Sequence, residues 1–300
     1  MVELKRIPTE RCNENTLHMD ALSTLDMVKL INSEDQKVAG AVGQQAEQIA
    51  AAVDLIYRQL KNGGRLIYCG AGTSGRLGIL DAVECPPTYS TDPELVQGLI
   101  AGGETAIFKA VEGAEDDPAL GKADLEKINF CAKDVLVGVA ASGRTPYVLG
   151  AMAHAHALGA PVIAVTCCPG SEIDAAADVG IAPMPGPEVI TGSTRMKSGT
   201  AQKMVLNMLS TCTMVRMGKV YGNLMVDVKP SNEKLVQRCI SIVCAATDCT
   251  EDTARAALDR CAYSAKTAIV MVLCGCDEKQ AARLLKQADG RIAAAVKSEG

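Results

Sequence analysis

Three short segments combine glycine with hydroxyl side chains, and each leads toward a segment of helical pattern. They are 70–75 (GAGTSG), 141–145 (ASGRT) and 191–200 (TGSTRMKSGT). Glycine lets the backbone approach an anion closely, a helix N-terminus offers unpaired N–H groups, and serine and threonine add donors. Because a hydrogen bond to a charged oxygen contributes about 1.5–3 kcal/mol, several such donors together can hold a phosphate monoester without a basic surface.

Most of the candidate ligands in these segments carry a hydroxyl group, and one carries an amino group. They are Thr73, Ser74, Ser142, Thr145, Ser193, Thr194 and Lys197. Helix capping is the ordinary role of serine and threonine at such positions. The convergence of three segments favours phosphate contact, whereas Lys197 is equally consistent with a structural role.

The first segment also has the spacing of a dinucleotide-binding loop, with Gly70, Gly72 and Gly75 forming G-x-G-x-x-G. A dinucleotide site expects an acidic residue at the end of the second strand. Here Asp92 and Glu94 precede the second apolar run instead. No Gly-Lys-Ser/Thr ends the loop, so it is not a P-loop either. The glycines are predicted to serve a phosphate and not a dinucleotide.

Short apolar runs alternate with segments of helical length from residue 65 onward. The runs are 65–69, 95–101, 134–140, 161–166 and 179–182, and the helical segments include 75–84, 104–112 and 145–159. This alternation predicts an α/β fold with a central parallel sheet flanked by helices. In such a sheet, loops at the carboxyl ends of the strands bind ligands.

Helices are predicted on both sides of this region. They cover 20–32, 34–61 and 198–217, the last closed by Gly218, and then 231–246, 251–262, 264–273, 277–288 and 290–298. The domains predicted are therefore an α/β domain over 1–225, with an N-terminal helical arm of about 1–61, and a small all-helical domain over 231–300. The joint falls at Lys229 and Pro230.

The composition excludes several classes of function. The net charge of −5 argues against a nucleic-acid partner, which needs a basic face. No apolar run is long enough to span a membrane, and the N-terminus lacks the apolar core of a signal peptide. The thirteen cysteines are an odd count without C-x-x-C, which predicts buried thiols in a reducing cytoplasm and no metal site.

Four stretches resemble the N-acetylmuramic acid 6-phosphate etherases, which belong to the sugar isomerase (SIS) family of phosphosugar-binding domains. They are GAGTSGRLGILDAVECPPTY, AVEGAEDD, ASGRTPYVLG and TGSTRMKSGTAQKMVLNMLST, and the similarity extends over nearly the whole chain. The resemblance implies a three-layer SIS fold, a homodimer with active sites near the subunit interface, a small C-terminal helical domain, and no metal or redox cofactor. It also implies cell-wall amino-sugar recycling in a bacterium.

The implied reaction removes D-lactate from C3 of the sugar phosphate by elimination, after which water adds to the double bond. The family's motif places the catalytic glutamates at Glu84 and Glu115. Glu84 is assigned as a proton donor at the end of a helix that Pro86 and Pro87 are expected to break. Glu115 is assigned as the second acid/base group. Which of the two acts at C2 and which at the ether oxygen is left open.

Two other functions are consistent with a SIS fold: a non-catalytic sugar-phosphate-sensing regulatory protein and an aldose–ketose isomerase. The regulators resemble two SIS modules in tandem, whereas this chain has a single set of loops. The isomerases commonly pair a glutamate with a ring-opening histidine, and none stands beside a motif here. The etherase is therefore the leading hypothesis.

Overall fold

The computed structural model describes residues 8–228, 230 and 232–297. The chain divides into two compact units. The first, called here the α/β unit, comprises Met1–Val83 and Glu94–Ser210; the second, called the helical unit, comprises Glu84–Pro93 and Thr211–Gly300. The division predicted from the sequence, at 225–231, stays a prediction about the domains, and Lys229 and Ser231 lie outside the described residues.

The α/β unit contains a parallel sheet of five strands. These are β1 (Leu66–Gly70), β2 (Val96–Ile100), β3 (Val135–Val139), β4 (Val162–Val165) and β5 (Val179–Ile181). Their order is β2-β1-β3-β4-β5, and every pairing is parallel. All residues of β1, β3 and β4 are buried, as expected for a sheet covered on both faces. The predicted fold class is confirmed, with each strand within a residue or two of its predicted bounds.

The chain order reverses between β1 and β3. After β1 the chain adds β2 on one side of it, and then returns to place β3 on the other. At such a reversal the loops after the two central strands diverge and leave a crevice at their carboxyl ends. The sheet order therefore places a binding crevice beside the first two hydroxyl-rich segments.

Eight helices surround or extend from this sheet in the described part of the chain. They are α1 (Thr24–Gly43), α2 (Ala46–Lys61), α3 (Gly72–Tyr89), α4 (Gly103–Phe108), α5 (Pro118–Lys127), α6 (Pro146–Ala157), α7 (Glu172–Ala175) and α8 (Lys197–Arg216). The predicted helix break at residue 33 is wrong. The Ser33 hydroxyl donates to the Leu30 carbonyl at 2.7 Å, which satisfies a polar side chain inside a continuous helix.

Helix α3 does not end before its prolines, so that prediction is also wrong. The helix continues through Pro86 and Pro87 to Tyr89. The prolines fall in its last turn, where each removes only one backbone donor. The Pro86 carbonyl still accepts from Ser90 N at 2.9 Å. Glu84 therefore lies within the helix.

One carboxylate joins α3 to its neighbours inside the α/β unit. Asp81 is buried and accepts hydrogen bonds from Tyr68 on β1 at 2.8 Å, and from Asn207 and Ser210 on α8 at 2.7 and 3.0 Å. Burial raises the pKa of Asp81 despite these bonds. The contacts fix α3 between the sheet and α8.

The helical unit has a short hairpin and five further helices. These are β6 (Val220–Tyr221) and β7 (Leu224–Met225), then α9 (Glu233–Thr247), α10 (Glu251–Arg260), α11 (Ala265–Cys274), α12 (Glu278–Gln287) and α13 (Ile292–Lys297). Their apolar faces form one core that includes Ile240, Leu258 and Ile269. The all-helical C-terminal region is confirmed, although its predicted bounds, 231 and 300, lie outside the described residues. Within the described ranges, no helix combines the length and apolar character needed to cross a bilayer.

Candidate active site

A cavity of about 280 Å³ lies at the carboxyl ends of β1 and β3 in the α/β unit. Its lining includes five of the seven predicted ligands, together with one predicted catalytic group and one residue that was not predicted: Thr73, Ser74, Ser142, Thr145, Thr194, Glu115 and Glu10. The remaining lining consists of small residues of the first two segments together with Val139 and Ala140 at the end of β3. The structure thus brings the three hydroxyl-rich segments together at the position that the sheet order favours.

The first segment turns tightly from β1 into α3. A Cβ on Gly75 would lie 2.7 Å from the Gly70 carbonyl oxygen, and a Cβ on Gly70 would lie 2.9 Å from that of Val139. Only glycine permits this close approach. The turn places the N-terminus of α3, with the N–H groups of Thr73 and Ser74, at the cavity.

The Ser74 hydroxyl contacts a buried glutamine. It donates to Oε1 of Gln202 at 2.8 Å, while Nε2 of Gln202 is buried without a partner in the described structure. The two ends of an amide are assigned from the hydrogen bonds they make. If the amide is turned by 180°, Nε2 donates to Ser74 and the serine hydroxyl is free to donate to an anion. In that orientation the serine hydroxyl accepts from Nε2 and can donate to a ligand in the cavity.

The second segment is held by a close contact at Gly143. Its φ is +69°, and a Cβ there would lie 2.0 Å from the Ser171 hydroxyl oxygen. Helix α6 begins two residues later, with Thr145 at the N-cap and Pro146 at the first helical position. The Thr145 side chain makes no capping hydrogen bond, so its hydroxyl is available to a ligand in the cavity.

The third segment is held in place by hydrogen bonds to Glu188. This carboxylate is fully buried and accepts from the backbone N–H groups of Lys197 and Ser198, both at 2.9 Å, and from the Ser198 hydroxyl at 2.8 Å. Glu188 therefore satisfies two backbone N–H groups at the N-terminus of α8. Thr194, just before that helix, reaches the cavity, whereas Ser193 is not among the lining residues.

Lys197 is not at the cavity. Its side chain is fully buried, and its ammonium lies 2.7 Å from a carboxylate oxygen of Glu34 on α1. Burial acts to raise the pKa of Glu34, but hydrogen bonds from Lys197, Lys37, Asn13 and Asn15 outweigh it and lower the pKa to about 2. The predicted substrate ligand thus forms an internal ion pair in this structure.

The two predicted catalytic glutamates occupy different places. Glu115 is exposed in a short turn, Ala114–Asp116, and borders both the main cavity and a neighbouring one of about 190 Å³. Arg76 in the smaller cavity donates to the carbonyls of Ile107 and Ala106 at 2.8 and 2.7 Å, which holds the end of α4. Glu84 is exposed on α3 and lines neither cavity. It lies twelve residues beyond Gly72, about 18 Å of helical rise.

Glu10 is the residue that sequence reasoning missed. It ends the short turn Pro8–Glu10 and borders the cavity beside the hydroxyl groups. Nothing in its local sequence marks it, because it stands sixty residues before the first loop and belongs to no glycine-rich segment. Among the residues that the structure describes, no group of three or more metal-ligating side chains occurs.

Comparison with known proteins identifies the class of this fold and site. Residues 48–156 match the N-terminal SIS domain of glucokinase regulatory protein, 125–211 match the SIS domain, and 222–268 match the C-terminal lid domain of glucokinase regulatory protein. Phosphoheptose isomerase GmhA from Neisseria gonorrhoeae superposes with a TM-score of 0.50 at 22% identity, covering 64% of this chain and 98% of its own. The α/β unit therefore has the SIS fold.

Relatives that align over nearly their full length identify the family within the SIS class. The N-acetylmuramic acid 6-phosphate etherase of Photobacterium profundum is 57% identical, covering 98% of both chains. That of Klebsiella aerogenes is also 57% identical, covering 97% of both. This chain belongs to the N-acetylmuramic acid 6-phosphate etherase family.

Proposed function

We infer that this chain cleaves the D-lactyl ether of N-acetylmuramic acid 6-phosphate, yielding N-acetylglucosamine 6-phosphate and D-lactate. One observation carries the inference beyond family membership: Glu115 borders a cavity whose other lining is rich in neutral hydrogen-bond donors. Such donors hold a phosphate by hydrogen bonds and helix N-termini. The cavity can thus hold the phosphate end of a sugar beside an acid/base group.

The reaction follows from the acidity of the proton at C2. An ether resists direct displacement, but in the open-chain sugar C2 lies next to an aldehyde. A base removes the C2 proton, an acid protonates the ether oxygen at C3, and lactate leaves with that proton. Water then adds across the C2–C3 double bond. Carboxylates suit both proton transfers, and we assign them to Glu115 and Glu84, without dividing the two positions between them.

Because Glu84 does not line the cavity of its own chain, we propose that it acts across a homodimer. The exposed face of α3 that carries Glu84 also carries Leu80 and Val83, whose side chains are 50% and 57% exposed. Large apolar groups grouped on one helix face are typical of a contact surface. Packing of this face against a second copy would bring Glu84 to the partner's cavity.

The direct test supplies N-acetylmuramic acid 6-phosphate to the purified chain and measures free D-lactate. We expect release of one lactate per sugar, and in H₂¹⁸O the label should enter the sugar at C3 while the lactate stays unlabelled. Label in the lactate would contradict elimination at C3. Absence of lactate with phosphosugar binding intact would favour a sensor, and turnover of fructose 6-phosphate would favour an isomerase.

We also propose the setting implied by the family: cell-wall amino-sugar recycling in the cytoplasm, with a phosphosugar as the ligand. The thirteen cysteines are all free thiols, a state that a reducing compartment preserves. Neither alternative function is favoured, because the relatives that align along both full lengths are etherases.

A further inference from the structure

We propose that Glu10 binds the sugar portion of the substrate by accepting hydrogen bonds from its uncharged donors, the hydroxyl or acetamido N–H groups. The proposal rests on the proposed function for the identity of the sugar. It assigns a role to the turn Pro8–Glu10, which lies outside the three glycine- and hydroxyl-rich segments.

The position of Glu10 is fixed by the residues on either side of it. Thr9 is buried, with its hydroxyl 4.0 Å from the sulfur of Cys168 after β4. Asn13 is buried, and its amide donates to the Pro187 carbonyl at 3.2 Å. These contacts join positions more than 150 residues apart in the sequence. The turn is therefore held against the α/β unit at two points, with Glu10 between them.

The carboxylate of Glu10 makes no such structural contact. Within the part of the chain that the structure describes, it has no hydrogen-bond or ion-pair partner, although it borders the cavity. Its Oε2 lies toward the third segment, because a Cβ on Gly192 would be 3.1 Å from it. An ionised carboxylate on a cavity wall remains to be satisfied by water or by a ligand.

The charges of the cavity decide which part of a ligand Glu10 faces. An ionised carboxylate only accepts hydrogen bonds, and it repels a phosphate dianion. The donors suited to phosphate lie in the first two segments, at Thr73, Ser74, Ser142 and Thr145. Glu10 is therefore matched to a neutral O–H or N–H group at a distance from the phosphate, as the carbon skeleton of an amino-sugar phosphate provides.

The test compares ligands that do and do not carry such donors. In Glu10→Ala, we expect the Kd for N-acetylglucosamine 6-phosphate, measured by calorimetry, to rise by ~10-fold or more, as expected for loss of a hydrogen bond to a charged group. The Kd for inorganic phosphate should stay the same or fall, because a negative charge is removed. Glucose 6-phosphate, which lacks the acetamido group, separates the two donors. If Glu10→Ala weakens its binding as much as that of N-acetylglucosamine 6-phosphate, a hydroxyl binds Glu10. If its Kd is unchanged, the acetamido N–H binds Glu10.

Two controls separate this role from a structural one. Glu14→Ala changes an exposed glutamate of the same arm that lies outside the cavity, and it should leave every Kd unchanged. Glu10→Gln, which keeps an acceptor, should bind with intermediate affinity. Unchanged sugar-phosphate affinity in Glu10→Ala, or an equal loss for phosphate alone, overturns the proposal. If the wild-type chain releases no lactate but shows this binding pattern, the proposed reaction fails while the role of Glu10 stands.

Discussion

At the scale of single residues, the site depends on which groups can donate to an anion. Ser74 and Gln202 form a buried pair in which the amide orientation decides whether the serine hydroxyl points its proton inward or toward the ligand. Gln202 is 1% exposed, so replacing its side chain changes a buried contact of the serine hydroxyl. In the proposed complex, the pair therefore positions one donor to the phosphate.

Substitution of Gln202 tests this arrangement. In Gln202→Glu, the new carboxylate always accepts the serine proton, so we expect affinity for N-acetylglucosamine 6-phosphate to fall by ~10-fold or more. In Gln202→Leu, the serine hydroxyl keeps its freedom to donate, and the loss should be smaller. Calorimetric Kd values and thermal unfolding of both variants check this. Equal losses in the two variants would show that Gln202 serves packing only.

The positions of several residues could be predicted from the sequence and those of others could not. Thr73, Ser142 and Thr145 line the cavity as predicted because they follow strands that end at one edge of the sheet. Lys197 could not be placed, since its partner Glu34 stands 163 positions away. Glu10 was missed for the same reason: only tertiary contacts bring its turn to the site.

At the scale of elements, the periodicity of apolar residues predicted the five strands and the late helices closely. Two predicted boundaries failed because a local helix-breaking signal did not end the helix. Pro86 and Pro87 are helix breakers by local rule, yet α3 continues to Tyr89. Separate helices were predicted over 20–32 and 34–61, yet α1 continues without a break from Thr24 to Gly43. A single sequence does not show whether such a signal ends a helix.

The ion pair between Glu34 on α1 and Lys197 on α8 is expected to make the free energy of unfolding depend on pH. The pKa of Glu34 is lowered from its ordinary value of 4.5 to about 2, so the folded chain binds a proton at this carboxylate less readily than the unfolded chain does. The stabilisation is fully present above pH 4.5 and is lost as the pH falls toward 2. Glu34→Gln leaves the Lys197 charge buried without its counter-ion, which costs about 3–5 kcal/mol.

Urea unfolding at pH 7 and pH 3 measures both effects, because pH 3 lies inside the interval over which the stabilisation is lost. We expect Glu34→Gln to be much less stable than wild type at pH 7, with a smaller further loss on acidification. Asp35→Asn, at the exposed neighbouring position of α1, is the matched control and should retain the wild-type pH dependence. Wild-type stability at pH 7 in the Glu34 variant would refute the assigned role of the pair.

At the scale of the whole molecule, we propose that the reaction uses residues of two chains. Glu115 borders the cavity of its own chain, and Glu84 is assigned to the cavity of a partner. Heterodimers of Glu84→Gln and Glu115→Gln subunits, isolated with two different tags, would then contain one complete site and one site lacking both groups. We expect about half the wild-type rate of lactate release per dimer, although each variant alone should lose ~100-fold or more.

The reciprocal heterodimer provides the control. A wild-type subunit paired with a Glu84→Gln/Glu115→Gln subunit has no complete site if the glutamates act across the interface, and it should be inactive. If both glutamates act within one chain, this heterodimer keeps half the activity and the first one has none. The two results are opposite, so the pair of measurements decides the arrangement.

The internal position of Glu188 has a consequence for the way an anion is recognised. Because this carboxylate already neutralises the positive pole of α8, the dipole of that long helix is not available to an external charge. In the proposed complex, the phosphate then draws on the N-terminal poles of α3 and α6, and Thr194 contributes as an ordinary polar neighbour. Recognition of the anion is thereby concentrated at the two central strands, which leaves the α8 side of the cavity free to discriminate among sugars.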